Sequence, residues 1–330
     1  MGARLAWLLV AFVLCAPVLD GAWSAATTAA FLTEFLSAGR WPVLSVLTEA
    51  PTTRPLAAGV DLHVPRRVVP PPGLVLVHGL APRGKDEPSL VSAAILLART
   101  GWAVAVPTVD GLTRLRLRPE DAGAVSRAVI ALRDAGHTPV SILAVSVGGG
   151  PALLAAAEPG IAGDVTAVLL IGGYASAREL LRYVLTGAYR FGDVMGRRET
   201  DRGAVGRFAR ANVELLDAGG QRLLDNRDPE AVDALLHALP SSTKRLLDEL
   251  SPGGRLGELR ARLYVVHGRD DPAVPYTEAL RLLEAARRAG RPARGVIVGA
   301  LGHVDPAQRA GVSDLLRLGA AFHAFRSEAR

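Results

Sequence analysis

Between positions 140 and 150 the chain reads Val-Ser-Ile-Leu-Ala-Val-Ser-Val-Gly-Gly-Gly, and this stretch constrains the fold more than any other. Ser141–Val145 has the apolar, β-branched character of a buried strand, and a helical run, Pro151–Ala157, follows almost at once. A strand that hands over to a helix so abruptly must turn at the residue between them, here Ser146. The turn forces that serine into a strained backbone region and needs small neighbours two positions to either side. Ala144 and Gly148 occupy those positions. Such turns also serve packing alone, so the meaning of Ser146 depends on what the rest of the chain brings to it.

The flanking sequence alternates in the same way. Leu74–Val77, Trp102–Val106, Val165–Ile171, Leu263–Val266 and Gly295–Val298 read as further strands. Pro88–Thr100, Pro119–Ala135, Tyr276–Ala289 and a run from about Pro306 read as helices. Strands apolar along their whole length, separated by helices, imply a parallel sheet covered on both faces. Right-handed crossovers put the C-terminal ends of these strands on one rim, where ligands of open α/β sheets bind. Thr52–Val69 alternates apolar and polar residues and predicts an antiparallel strand or hairpin at a sheet edge, stopped by Pro70-Pro71-Pro72.

The alternation fails between Tyr174 and Arg260. This block holds no convincing strand, only helical runs such as Arg178–Leu185, Val205–Leu216 and Pro229–Leu239, and it is too long for a loop. It reads as a helical cap, 174–260, inserted between two strands; the alternative is a set of peripheral helices that pad the core.

Three loops carry residues suited to acyl-transfer chemistry. A serine hydroxyl is a weak nucleophile and needs a neighbouring base, itself held by an acid. After Leu263–Val266 the chain continues His267-Gly268-Arg269-Asp270-Asp271-Pro272-Ala273-Val274-Pro275, and after Gly295–Val298 it continues Gly299-Ala300-Leu301-Gly302-His303. After Leu74–Val77 comes His78-Gly79-Leu80. These segments, with the small-x-Ser-x-Gly turn, resemble the α/β-hydrolase superfamily in its serine esterase and lipase-like branch, over about residues 55–330. The resemblance implies an α/β-hydrolase fold, mostly parallel, with helices on both faces and an inserted cap. It implies Ser146 as nucleophile, His303 as base and Asp271 as the orienting acid, with Asp270 as the rival. The amides of Leu80 and Val147 would hold the oxyanion, at about 3–4 kcal/mol each. His78 then reads as a loop support, and Asp110, in Val-Pro-Thr-Val-Asp-Gly at 106–111, as a turn-fixing residue.

The expected function is hydrolysis of carboxylic esters, lipid-like or with small acyl groups, through an acyl-enzyme. A peptidase, thioesterase or acyltransferase could use the same residues, and a non-catalytic α/β-hydrolase-fold binding protein is the alternative from another class. No cofactor or metal is implied: zinc-spaced His/Cys clusters and a Gly-x-Gly-x-x-Gly after a strand are both absent, and Gly148–Gly150 is not followed by Lys-Ser/Thr. The net charge of +6 rests almost wholly on arginine, with lysine only at 85 and 244, and the cations are scattered among acids. That pattern describes a solvated surface and argues against a nucleic-acid partner.

The N-terminus has the layout of an export signal. Arg4 precedes an uncharged apolar run, residues 5–19, and Ala22-Trp23-Ser24 offers a small-x-small cleavage point. Residues 1–24 are thus a signal peptide or a membrane anchor, with a buried first helix as the non-targeting reading, and 25–54 a helix and linker. The expected location is outside the cytoplasm, periplasmic, secreted or anchored with membrane association through that segment. The single cysteine, Cys15, lies inside it and follows Leu14, which does not suit lipidation.

Overall fold

A computed structural model describes residues 21–66, 70–212, 222–299, 301–302 and 311–328. The elements are α1 (21–36), β1 (Thr52–Ala57), β2 (Val60–Val64), β3 (Gly73–Val77), α2 (Pro88–Arg99), β4 (Ala103–Pro107), α3 (Ala122–Asp134), β5 (Val140–Val145), α4 (Gly149–Ala156) and β6 (Val165–Ile171). The inserted block follows, with α5 (Ala177–Thr186), β7 (Ala188–Phe191), β8 (Val194–Arg197), α6 (Arg202–Asn212), α7 (Pro229–Ala238) and α8 (Ser241–Glu249). The chain then returns to β9 (Arg262–Gly268), α9 (Thr277–Arg288), β10 (Ala293–Val298) and α10 (Val312–Glu328).

Among the described residues the main sheet has eight strands in the order β1-β2-β4-β3-β5-β6-β9-β10. β1 pairs antiparallel with β2, and β2 with β4; every other neighbouring pair is parallel. The edge hairpin and the parallel interior are those expected from the period-2 pattern at the start and the solid apolar runs after it.

Alternate side chains of each strand feed two separate cores. Val75, Ile142, Val168 and Val265 point to the face covered by α3, α4 and α9. Leu74, Leu76, Leu143 and Leu169 point to the other, covered by α1, α2 and α10. Each such side chain, taken fully out of water, contributes about 1.5–3 kcal/mol.

Residues 25–54 are part of the domain and not merely its linker. Phe31 of α1 stacks on Phe322 of α10 with ring centroids 4.6 Å apart, and Trp102 stands edge-on to the same ring at 6.1 Å. The buried guanidinium of Arg326 donates to the Ser24 carbonyl at 2.9 Å and the Thr100 carbonyl at 2.7 Å, tying both helices to the start of β4. The expected cleavage point at Ala22-Trp23-Ser24 therefore falls within a packed helix. The apolar run 5–19 lies outside the described residues; among those described, no helix is long and apolar enough to cross a membrane.

The insertion between β6 and β9 is mainly helical, but it holds a strand pair that the sequence reading did not foresee. β7 and β8 form an antiparallel hairpin across Gly192-Asp193, with Gly192 at φ +54° as a tight turn requires. The block is moored by a buried carboxylate on α9: Glu278 accepts from the amides of Ala175 (2.9 Å) and Ser176 (2.8 Å) and pairs with Arg281 (3.1 Å). Burial pushes the Glu278 carboxyl above its ordinary range, and Arg281 and the two amides pull against that.

Candidate active site

Ser146 stands between β5 and α4 with φ +56°, one of three described non-glycine residues at positive φ. The left-handed conformation costs an L-residue about 1–2 kcal/mol, and here it follows from the abrupt strand-to-helix handover. Gly148 shows why the turn demands a small residue: a Cβ there would lie 2.1 Å from the His78 carbonyl oxygen. The elbow and the 78–80 loop are thus pressed together backbone to backbone.

His78 holds that loop through both ring nitrogens. Nδ1–H donates to the Gly79 carbonyl at 2.7 Å, and Nε2 accepts the Val109 amide at 3.0 Å, which fixes the neutral tautomer. Burial lowers its pKa, partly offset by the bond to Gly79. The loop after β4 is fixed by a residue other than the one expected. Asp110 is exposed, whereas the buried carboxylate of Asp121 accepts from Gly111 at 3.0 Å and Arg118 at 3.1 Å. Asp121 ends the short turn Pro119–Asp121 just before α3, where its bond to the Arg118 amide closes a capping box.

The two candidate acids are in opposite environments. The Asp270 side chain is 71% exposed and pairs with Arg198 of the insertion at 2.7 Å. The Asp271 side chain is fully buried. Its Oδ1 accepts the amides of Ala273 (2.8 Å) and Val274 (2.9 Å), and its Oδ2 lies 3.4 Å from Nε2 of His267. A carboxylate that accepts two backbone amides is held in one orientation. His267, buried and with Nε2–H donating to the Val274 carbonyl at 2.9 Å, closes this loop. In the sequence His267 stands only as part of a motif, and its position four residues before Asp271 is the signal of its role.

His303 lies outside the described residues. Its predecessors do not: the Leu301 and Gly302 carbonyls approach Gly268 at the end of β9 so closely that a Cβ there would sit 2.5 and 2.2 Å from them. Leu301 and Gly302, shortly after β10, therefore run beside the end of β9, from which the Asp271 segment departs. Ser146, Ala273, Leu301 and the 78–80 loop all line one pocket of about 650 Å³, within the usual range for small-molecule sites. Among the described residues, no group of three or more His, Cys, Asp or Glu side chains is placed to hold a metal ion.

A sheet in this strand order, with a serine in left-handed backbone after its fifth strand, is the α/β-hydrolase fold. Solved structures share it. The puromycin-hydrolyzing peptidase of Mycobacterium tuberculosis matches with a TM-score of 0.55 and 18% identity, covering 88% of this chain and 40% of its own. The acylaminoacyl peptidase of Pyrococcus horikoshii gives 0.57 and 16%, over 85% and 41%. Dipeptidyl peptidase 4 of Porphyromonas gingivalis gives 0.54 and 14%, over 84% and 35%. The chain spans about two fifths of the length of these proteins or less. No protein-family model and no curated protein matches the sequence.

Proposed function

We propose that this chain is a serine hydrolase that cleaves carboxylic esters. The observation that carries the reading is Ser146 in strained backbone, lining a mainly apolar pocket that Ala273 of the Asp271 loop also lines. In this reading the Ser146 hydroxyl oxygen bonds to the acyl carbon while its proton passes to His303. The Leu80 and Val147 amides hold the resulting oxyanion, and Asp271 orients the imidazole. Collapse of the tetrahedral species breaks the ester C–O bond, and the alcohol leaves with the proton from His303. Water, deprotonated by the same imidazole, then releases the acid and restores the serine.

A second reading, amide hydrolysis, is motivated by the similar structures, which are named for peptidase activity. A panel of p-nitrophenyl esters, thioesters and aminoacyl p-nitroanilides, assayed with the wild type and Ser146→Ala, separates the two. Ester turnover that vanishes in Ser146→Ala supports the first, and anilide turnover in excess of ester turnover supports the second. Activity that survives in Ser146→Ala overturns both. The same proposal puts the enzyme outside the cytoplasm, on the strength of Arg4 and the apolar run 5–19 alone; fractionation of cells expressing the full chain tests that.

A further inference from the structure

The pocket at Ser146 does not stay on the rim of the sheet. It runs inward between the leucine face of the strands and the helices α1, α2 and α10. Leu97, Leu143, Leu169 and Phe322 line it, and all four are buried. Its polar side chains are few: Ser146 and His78 beside the elbow, and the partly exposed Glu87 and exposed Ser89 at the start of α2. One side is supplied by α1, through Phe31, Leu32 and Phe35, with the Phe31 and Phe35 rings stacked 5.8 Å apart.

We propose that this inner pocket is the acyl-chain site and that α1 forms its length-determining wall, so that the substrates are esters of flexible apolar acyl groups. The inference rests on the esterase reading of Ser146 and adds to it which part of the substrate goes where. A pocket that leads from the nucleophile into the core suits the group that stays on the serine, because the departing alcohol needs an open path before water can attack. Apolar walls offer no partner for a peptide backbone and reward each methylene taken from water.

The test is a chain-length profile on the full chain. With p-nitrophenyl esters from acetate to dodecanoate, kcat/KM should climb with each methylene, by up to about fourfold, until the pocket is full. Ala93→Leu, a partly buried α2 position that lines the pocket and tolerates leucine as a helix former, should shorten the preferred chain. Phe35→Ala, on α1, should lengthen it. Alkyl acetates, which carry the chain on the alcohol side, should show no comparable climb. A climb confined to the alkyl acetates, or a profile that neither variant moves, overturns the inference and leaves Ser146 as the nucleophile. Absence of Ser146-dependent turnover on every ester overturns both.

Discussion

The imidazole of His267 lies 3.4 Å from the Asp271 carboxylate, and its Nε2–H also reaches the Val274 carbonyl at 2.9 Å. One buried donor thus pins the loop that presents the acid. Replacing His267 by Leu leaves that carbonyl without its donor, at a cost of about 1–3 kcal/mol in stability. The variant should melt several degrees lower and lose kcat more than KM, because in the proposed mechanism Asp271 acts on the transition state rather than on substrate binding. An unchanged melting temperature together with an unchanged kcat contradicts this assignment.

Burial separates the adjacent acids, and kinetics should separate them the same way. Asp271→Asn should lower kcat by on the order of 10⁴, as expected when the orienting carboxylate of a triad becomes an amide. Asp270→Asn should cost little, since its pair with Arg198 is at the surface, where such pairs contribute about 0–1 kcal/mol. The reverse ranking in steady-state assays moves the acid to Asp270.

Much of this was legible in the sequence. Strands buried on both faces read as unbroken apolar runs, and the junction at Ser146 announces itself because a strand and a helix cannot meet there without small neighbours. The insertion read less well. β7 and β8 are four residues each and partly exposed, so neither burial nor length gives them a signature. The helical spacing of Phe31, Leu32 and Phe35 predicts α1, yet periodicity does not say which core a helix joins. Glu278 was invisible for a related reason: its partners are backbone amides about a hundred residues away in the chain, and no residue pattern records those.

The third glycine of the elbow illustrates the same point. A Cβ on Gly150 would come 2.3 Å from the Tyr174 hydroxyl, which donates to the Leu250 carbonyl at 3.0 Å and so ties the start of the insertion to its end. Gly150→Ala should displace Tyr174 and destabilise the chain by about 1–3 kcal/mol, the range for overpacking a tight core. Thermal melts check this, and wild-type stability in the variant contradicts it.

The histidine ring of the 78–80 loop sets a pH dependence. Burial holds the folded-state pKa of His78 below the ordinary histidine value of about 6.5. The unfolded chain therefore binds the proton more readily, and this contribution to stability is full above about pH 6.5 and lost as pH falls through the folded-state value. His63, lowered first by burial and also by Lys85, acts in the same direction despite the opposing charge of Asp61. The buried carboxyls of Asp121 and Glu278, raised by burial, act in the opposite one. An NMR titration that resolves the His78 ring isolates the first effect. The midpoint should fall below 6.5, and one at or above that value contradicts the account.

In the proposed mechanism Ser146 is a nucleophile driven by His303. The most direct measurement is intact and peptide mass spectrometry after exposure of the full chain to a small alkyl fluorophosphonate. A single adduct is expected on the peptide containing Ser146, formed far more slowly in His303→Ala. An unmodified protein, or an adduct whose yield is untouched by Ser146→Ala, contradicts it.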